Sequence, residues 1–87
     1  MVVVMPNKAT AFCMINSEIG EEESVITTLK ENLGVEESFV VYGVYDLVVK
    51  VSAPTMKELK EIVINSIRQI SGVRSTLTMI VVENDDE

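Results

Sequence analysis

The 87-residue sequence has no histidine, no tryptophan and a single cysteine, Cys13. Transition-metal sites are built mainly from histidines and paired cysteines, so the sequence predicts no such site. One cysteine cannot form an internal disulfide, which is typical of proteins in the reducing cytoplasm. Because Cys13 lies in an apolar run, we interpret it as a small core residue and not as a nucleophile.

Basic residues are scarce as well. Seven Lys and Arg stand against 14 Asp and Glu, which gives a net charge of −7. Nucleic-acid-binding domains contact phosphates through basic patches, and the sequence shows none. The apolar run at residues 1–5 stops at Pro6 and is too short for a signal peptide or a membrane span. We therefore expect a cytoplasmic protein without direct contacts to nucleic acid or membrane.

Length and hydrophobic content indicate the domain organisation. A chain of 87 residues is long enough for one domain. We expect an N-terminal arm over residues 1–8, a folded domain over 9–82 and an acidic tail over 83–87. Hydrophobic residues make up 47% of the sequence, which is generous for so small an interior. The apolar side chains that do not fit inside are expected to be buried against a second copy of the chain.

The first half of the folded domain predicts a strand, a helix and a hairpin. Residues 9–16 are apolar and bounded by turn formers, which favours a buried strand. Three acids, Glu21–Glu23, match the positive end of a helix dipole, and Gly34 is placed to cap this helix. Within residues 38–52, two β-rich runs flank a break at Gly43–Asp46, which predicts two strands joined by a tight turn.

The second half predicts a helix and a fourth strand. Pro54 ends the preceding strand, and Thr55-Met-Lys-Glu58 is a capping-box pattern that starts a helix. Before Gly72, apolar residues recur at helical spacing, at Met56, Leu59, Val63, Ile67 and Ile70. Residues 75–82 form the last apolar run, which we interpret as a strand.

The predicted order is therefore β-α-β-β-α-β. Right-handed crossovers place both helices on the same side of the sheet. The fold class is α+β, a ferredoxin-like βαββαβ sandwich with a four-stranded antiparallel sheet and two helices on one face. The strands are apolar on both sides: in the first strand, Ala11 and Cys13 alternate with Phe12 and Met14. Since a sheet covered on one face should alternate apolar with polar residues, the pattern predicts a sheet-to-sheet homodimer.

Two local features carry polar groups that a ligand can use. The turn at Gly43 combines a residue that permits close backbone approach with the hydroxyl of Tyr45 and the carboxylate of Asp46, which can pair with an ammonium group. Thr76 and Thr78 point to the same side of the fourth strand, because side-chain direction repeats every two residues. Gly, Tyr and Asp are also ordinary hairpin residues, and the threonines can equally decorate a strand edge, so both interpretations stay open at this point.

From about residue 9 to residue 82, the sequence resembles the effector-binding domain of the Lrp/AsnC family, also called the RAM domain. The matching features are an apolar first strand, a glycine before the first helix, Gly-x-Tyr-Asp followed by Leu-Val-Val at 43–49, and Gly-Val-x-x-Thr-x-Thr at 72–78. The resemblance implies a free amino acid as effector, bound between sheet-paired homodimers that assemble into octamers or similar rings. It also implies a ligand site with Asp46 facing the effector's ammonium group, formed by Gly43, Tyr45, Asp46, Thr76 and Thr78.

The sequence also departs from this family. Full-length members carry an N-terminal helix-turn-helix that reads DNA, and only about eight residues precede the first predicted strand. The resemblance therefore implies a stand-alone sensing domain that modulates transcription through hetero-assembly with full-length regulators. No cofactor and no catalytic set is expected, and we interpret the protein as a regulatory module and not an enzyme.

Three alternatives stay open. An ACT-like small-ligand module has the same element order but favours a glycine-rich first loop, whereas the loop at residues 16–20 has one glycine. An enzyme on this superfold needs a phosphate-binding arginine loop or a catalytic His, Trp or Asn set, and neither Arg68 nor Arg74 adjoins a glycine-rich loop. The third alternative is a purely structural oligomerisation domain without a ligand.

Overall fold

The computed structural model describes residues 8–32 and 34–82, so the tail predicted over 83–87 and all but the last residue of the arm predicted over 1–8 lie outside the described residues. In chain order the elements are β1 (Ala9–Ser17), α1 (Glu22–Lys30), β2 (Val35–Val40), β3 (Leu47–Ala53), α2 (Met56–Glu61), a π-helical segment (Ile62–Ile67) and β4 (Val73–Ile80). The strands form one antiparallel sheet in the order β2-β3-β1-β4, which confirms the predicted ferredoxin-like fold. Within the described ranges, none of the helices has the length and apolar character of a membrane span.

The core lies between the sheet and the helices. Alternate residues of β1 and β3 point into it and are fully buried, namely Ala11, Cys13, Ile15, Leu47, Val49 and Val51. The helices cover this surface with the buried side chains of Val25, Leu29, Leu59, Val63 and Ile67. Full burial of an aliphatic side chain contributes about 1.5–3 kcal/mol. Burial of these side chains therefore holds the helices on one face of the sheet.

The second helix begins as the capping-box pattern predicts. The Thr55 hydroxyl accepts a hydrogen bond of 3.1 Å from the Glu58 backbone N–H, which satisfies one free amide of the first turn. Further along, the helix widens, because the Arg68 N–H donates to the Val63 carbonyl, five residues back, at 3.1 Å. Such π-helical turns interrupt the regular helical spacing. The π-helical segment ends at Ile67, so the helix is shorter than the sequence predicts.

The prediction that Gly34 caps α1 is wrong. The helix ends at Lys30, and Gly34 packs against the second helix, where an added Cβ would lie 2.5 Å from Ile62 Cδ1. A larger residue at position 34 would therefore have to displace the Ile62 side chain. Gly72 differs, since its φ is +97° and a Cβ there would lie 2.9 Å from Val25 Cγ2. Gly72 is thus required both by its backbone conformation and by its contact with α1.

Two strand boundaries also differ from the prediction. β2 begins at Val35, earlier than predicted, and includes Glu36 and Glu37. An edge strand tolerates charged residues and bulges, and the register of β2 shifts between Val35 and Glu37. Glu36 and Glu37 interrupt the alternation of apolar residues by which a strand is predicted, so the start of β2 was not predicted. β4 spans Val73–Ile80, so it starts and ends two residues earlier than predicted.

Candidate functional site

The predicted site begins with the connection between β2 and β3, residues 41–46. It is wider than the predicted tight turn: the Val41 N–H donates to the Asp46 carbonyl at 2.8 Å and closes a loop over these residues. The Asp46 N–H donates in turn to the Ile15 carbonyl of β1 at 2.9 Å. The base of this hairpin is therefore fixed to a central strand of the sheet.

The Asp46 carboxylate is also held in place by β1. Its Oδ2 accepts hydrogen bonds from the Ser17 backbone N–H at 3.0 Å and from the Ser17 hydroxyl at 3.4 Å. The residue is half-buried, and neither contact uses Oδ1. An ionised carboxylate can accept several hydrogen bonds, so Asp46 can pair with a ligand cation from a fixed position.

The hairpin tip exposes apolar side chains. Tyr42 is fully exposed and Val44 is 82% exposed, whereas Tyr45 at the base is half-buried. Its chain neighbours aside, no atom of residues 8–32 and 34–82 lies within 4 Å of the position that a Cβ would take at Gly43, so no contact with this part of the chain requires glycine there. The predicted site residues include Gly43 and Tyr45 but not the exposed Tyr42 and Val44. The available signal was the apolar run that continues past the end of β2 into the loop.

Thr76 and Thr78 lie on the helix-covered side of β4. The register places Thr76 opposite Ile15 and Thr78 opposite Cys13 of β1. The Thr76 hydroxyl accepts a hydrogen bond of 3.3 Å from Arg68 Nε at the end of the second helix. The Thr78 hydroxyl lies 3.3 Å from Cys13 Sγ. The two threonines point to one side of the strand as predicted, and they have Arg68 as a neighbour that the sequence did not assign to the site.

Cys13 is fully buried beneath these threonines. Burial raises the pKa of its thiol above the ordinary value of 9.0, and the Thr78 hydrogen bond and the Arg68 charge offset this only in part. The thiol is therefore neutral at physiological pH. This confirms the interpretation of Cys13 as a core residue.

The hairpin and the threonines occupy the same end of the sheet but opposite sides of β1. Asp46 is bonded to β1 through Ile15 and Ser17, and Thr76 faces Ile15 from β4. Adjacent strands are about 4.8 Å apart, so about 10 Å, two strand spacings, separates the backbone at Asp46 from the backbone at Thr76. Among the described residues, the cavities that Thr76 and Thr78 line do not include the hairpin residues 43–46.

The face of the sheet opposite the helices is apolar along its centre. The registers align one row of side chains across all four strands: Leu77, Met14, Val48 and Phe39. Phe12 and Met79 pair with each other in the next row. Leu77 is 46% exposed and Phe39 is 51% exposed. We call these six residues the open face.

Polar pairs border the open face at both ends. Thr10 and Ser52 are hydrogen-bonded at 3.2 Å at one end, and Asn16 donates to Ser75 at 3.4 Å at the other. An apolar centre with a polar rim is the usual anatomy of a protein–protein interface. The prediction that the strands are apolar on both faces is therefore confirmed.

A family model decides the identification. The model of the Lrp/AsnC ligand-binding domain matches residues 10–86, which is most of the chain. The chain belongs to the Lrp/AsnC ligand-binding domain family. This match agrees with the motifs at residues 43–49 and 72–78 and favours the Lrp/AsnC family over the ACT-like alternative.

Relatives of this Lrp/AsnC domain include an enzyme and a regulator. Homocitrate synthases of Saccharolobus solfataricus and Saccharolobus islandicus are 47% identical to it over 60 residues, 69% of the chain. An uncharacterized HTH-type transcriptional regulator of Pyrococcus furiosus is 34% identical over 74 residues, 82% of the chain. The chain spans 13% of the length of the homocitrate synthases and 49% of the length of the regulator. In both relatives the matched segment is part of a longer protein.

Solved structures share the fold of this Lrp/AsnC domain. FFRP-DM1 is 38% identical with a TM-score of 0.82, covering 85% of this chain and 99% of that one. Escherichia coli AsnC is 25% identical with a TM-score of 0.84, covering 98% and 60%. A Neisseria meningitidis transcriptional regulator, solved as a complex with L-Met, has a TM-score of 0.80 over 91% of this chain and 53% of that one. Its identity is 15%, so this last likeness shows the fold alone.

Proposed function

We propose that this Lrp/AsnC domain is an amino-acid-binding regulatory module that self-assembles through its open face. In this proposal a free amino acid is the effector, and hetero-assembly with full-length Lrp/AsnC regulators conveys its binding to transcription. Homodimers assemble further into octamers or similar rings, and the effector binds between them. The domain itself catalyses no reaction.

The observation that carries the proposal is the position of Asp46. Its carboxylate is fixed by Ser17 at the end of a central strand, beside a hairpin tip whose apolar side chains are exposed. A free amino acid carries an ammonium group, and a preordered carboxylate pairs with it at little cost in side-chain freedom. Gly43 lets a ligand or a second chain approach the backbone, and Tyr45 supplies an aromatic surface and a hydroxyl.

Thr76 and Thr78 are proposed to complete this site from a second copy. They lie across β1 from Asp46 of their own chain, so they reach the effector where the hairpin of a neighbouring copy meets β4. The Neisseria meningitidis regulator, which shares the fold, was solved as a complex with L-Met, and this supports an amino acid as the class of ligand.

The open face supports the self-assembly. Its two most exposed members, Phe39 and Leu77, lie in one row with half-buried Met14 and Val48 between them. Two such faces that pack together remove this row from water, at a gain of about 25 cal/mol per Å² of apolar area. The polar pairs at both ends then form the rim of the interface.

Thermal unfolding of the purified chain with each of the twenty amino acids at millimolar concentration tests the proposal. A ligand that binds only the folded state raises the free energy of unfolding by about 2.7 kcal/mol at a hundred times its Kd. We expect a selective upward shift of the melting temperature for one or a few amino acids. No shift with any of them would favour a structural oligomerisation domain without a ligand.

Asp46→Asn tests the assigned carboxylate without removing its structural contact. The amide oxygen can still accept the Ser17 hydrogen bonds, so the unliganded variant should melt close to the parent chain. The charge that pairs with the ammonium group is lost, and we expect the effector-induced shift to disappear. Glu18→Gln removes the same charge from a residue next to Ser17 and should keep the shift. An Asp46→Asn protein with full amino-acid affinity would contradict the role of Asp46.

A second candidate function is regulation of a metabolic enzyme in place of transcription. It is favoured by the 47% identity to a segment of homocitrate synthases. The two candidates share the effector and differ in the partner. Sedimentation of the domain mixed with a full-length Lrp/AsnC regulator, and separately with a homocitrate synthase of the Saccharolobus type, distinguishes them by which mixture forms a complex.

A further inference from the structure

A groove separates the second helix from the edge strand β4. Its walls are mostly apolar: Leu59, Val63 and Ile64 come from the helix, and Ile80 from β4. Its volume is about 380 Å³, within the range of about 300–1,000 Å³ that small-molecule sites occupy. Ile64 and Ile80 are 47% and 36% exposed, so both side chains are accessible to a ligand.

Basic and hydroxyl groups lie along the same groove. Lys60, Arg68 and Thr78 line it together with the apolar residues. Arg68 also lines a second cavity of about 400 Å³, together with Arg74 and the hydroxyls of Ser75 and Thr76. The two cavities therefore adjoin at Arg68, with an apolar surface on one side and a polar one on the other. These are the only two arginines of the chain.

The charge of this region is opposite to that of the whole chain. Acids outnumber bases 14 to seven in the sequence, yet none of the residues lining either cavity is acidic. Across residues 8–32 and 34–82, the salt bridges join Lys8 and Lys50 to Glu36, and Lys60, Arg68 and Arg74 take no part in them. An anion in the groove would meet two cationic side chains, Lys60 and Arg68, with Arg74 in the adjoining cavity, whereas an ammonium group would meet like charge and no counter-ion among the lining residues.

Arg68 is oriented for such an anion. Its Nε donates to the Thr76 hydroxyl at 3.3 Å, which fixes one edge of the guanidinium against β4. The remaining N–H groups of the fork match a carboxylate, which arginine binds in a planar, often bidentate geometry. A carboxylate at Arg68 would place an attached hydrocarbon chain along Ile64 and Ile80.

We propose that this groove is a second ligand site, for a small monocarboxylate with an apolar tail and no amino group. The carboxylate binds Arg68, with Lys60 and Arg74 adding positive charge, and the tail packs on Ile64 and Ile80. The site lies within one chain and contains no part of the hairpin, but it shares Thr78, and Thr76 through Arg68, with the proposed amino-acid site. It differs from that site in its anchoring group, Arg68 in place of Asp46, and in its ligand, and it does not require Asp46.

Three probes with one carbon skeleton test the ligand class. 4-Methylpentanoate has the carboxylate and the tail, L-leucine adds an ammonium group to it, and 4-methylpentanamide removes the negative charge. Two-dimensional ¹H–¹⁵N NMR titrations of the full chain follow the backbone amides of Arg68, Thr78 and Ile80. We expect 4-methylpentanoate to shift these amides and the other two probes to bind about tenfold more weakly there.

Charge variants test the site itself. Arg68→Gln should weaken 4-methylpentanoate binding about tenfold, and Arg74→Gln should weaken it less. Lys57→Gln makes the same charge change on α2, outside the residues that line the groove, and should leave the affinity unchanged. If Arg68→Gln does not fold, the Arg74→Gln result against Lys57→Gln decides the question.

Three outcomes would overturn the inference. They are unchanged affinity in the arginine variants, L-leucine binding as tightly as 4-methylpentanoate at these amides in the Asp46→Asn chain, and absence of any shift at tens of millimolar. Asp46→Asn separates this inference from the proposed function, because it should abolish the amino-acid response and leave monocarboxylate binding intact. Loss of both in Asp46→Asn would show that the groove and the hairpin form one site, and would contradict a second site.

Discussion

The two faces of the sheet are made by the same strands but differ in what completes them. On the helix-covered face the side chains of β1 and β3, such as Ile15 and Val49, are fully buried by helices of the same chain. On the open face, Phe12, Phe39 and Leu77 stay between 36% and 51% exposed. Burial on the first face therefore stabilises the fold. Burial on the second face requires another molecule, and its energy is available for assembly.

The alternation of side chains along a strand is what keeps the two faces separate. Cys13 and Met14 are adjacent in sequence, yet one is fully buried under the helices and the other lies in the central row of the open face. A substitution at one position is therefore expected to change folding or assembly, and not both. Substitutions on each face test whether folding and assembly are affected separately.

The largest effect is expected in the helix-covered face. Leu29→Ala removes a fully buried side chain of α1 and leaves a cavity against the sheet, so the free energy of unfolding should fall by about 2–5 kcal/mol. Ile19→Ala, at a position 93% exposed, is the matched control and should change it by less than about 0.5 kcal/mol. Urea denaturation measures both. If Leu29→Ala weakened assembly of the folded chain as well, the two faces would not be independent.

A charge on the open face should act on assembly instead. Leu77→Glu places a carboxylate in the central row, where pairing of two faces would bury it without a partner, so self-association should weaken about a hundredfold or more. The unfolding free energy of the separated chain should change by less than about 1 kcal/mol, because Leu77 is 46% exposed. Sedimentation velocity over a concentration series measures the association. Ile19→Glu is the control, and equal sedimentation of the two variants would contradict the assigned interface.

The difference between the faces was largely predictable from the sequence. Alternation in β1 separated Ala11 and Cys13 from Phe12 and Met14, and the structure places these pairs on opposite faces. The start of α2 was equally readable, because the Thr55 cap depends on residues close in sequence. Both features depend on residues close in sequence, so they can be predicted without knowing which elements pack together.

Features that depend on contacts distant in sequence were not predictable. The apolar spacing of Leu59, Val63 and Ile67 fits a regular helix as well as the π-helical segment that the structure shows. The role of Gly34 is set by Ile62, a residue on the other helix. The arrangement of the candidate site depends on distant contacts as well: Asp46 and Thr76 were assigned to one ligand site between dimers, and only the sheet order reveals that β1 lies between them within a chain.

A smaller effect than that of Leu77→Glu is expected at alkaline pH, where the Cys13 thiol of the helix-covered face affects the free energy of unfolding. Burial raises the pKa of the Cys13 thiol above 9.0, with partial offsets from Thr78 and Arg68. The folded chain therefore holds the thiol neutral while the unfolded chain ionises it, so this contribution to stability is present below pH 9.0 and is lost as the pH rises above it. The Cys13→Ala variant has no thiol, so it does not lose stability in this way as the pH rises. The difference in unfolding free energy between the parent chain and Cys13→Ala should narrow between pH 8 and pH 10, and a constant difference would contradict a buried neutral thiol.

The smallest effect on the free energy of unfolding is expected at acidic pH, where the Glu36 carboxylate of β2 becomes protonated. Partial burial alone would raise the pKa of its carboxyl, but the hydrogen bonds from Lys8 and Ser52 and the charges of Lys8 and Lys50 outweigh it and hold the pKa below the ordinary 4.5. A lowered pKa contributes stability above pH 4.5 that is lost as the pH falls through the folded-state value.

The Glu36 side chain is 36% exposed, so the contribution of its ion pairs is less than about 1 kcal/mol. Glu36→Gln should lower the free energy of unfolding at pH 7 by that small amount, and its difference from the parent chain should shrink as the pH falls below 4.5 and the parent carboxyl becomes protonated. Glu37→Gln removes a charge from the adjacent residue and controls for net charge. A difference between the parent chain and Glu36→Gln that stays constant as the pH falls would mean that the side chain acts through packing and not through its charge.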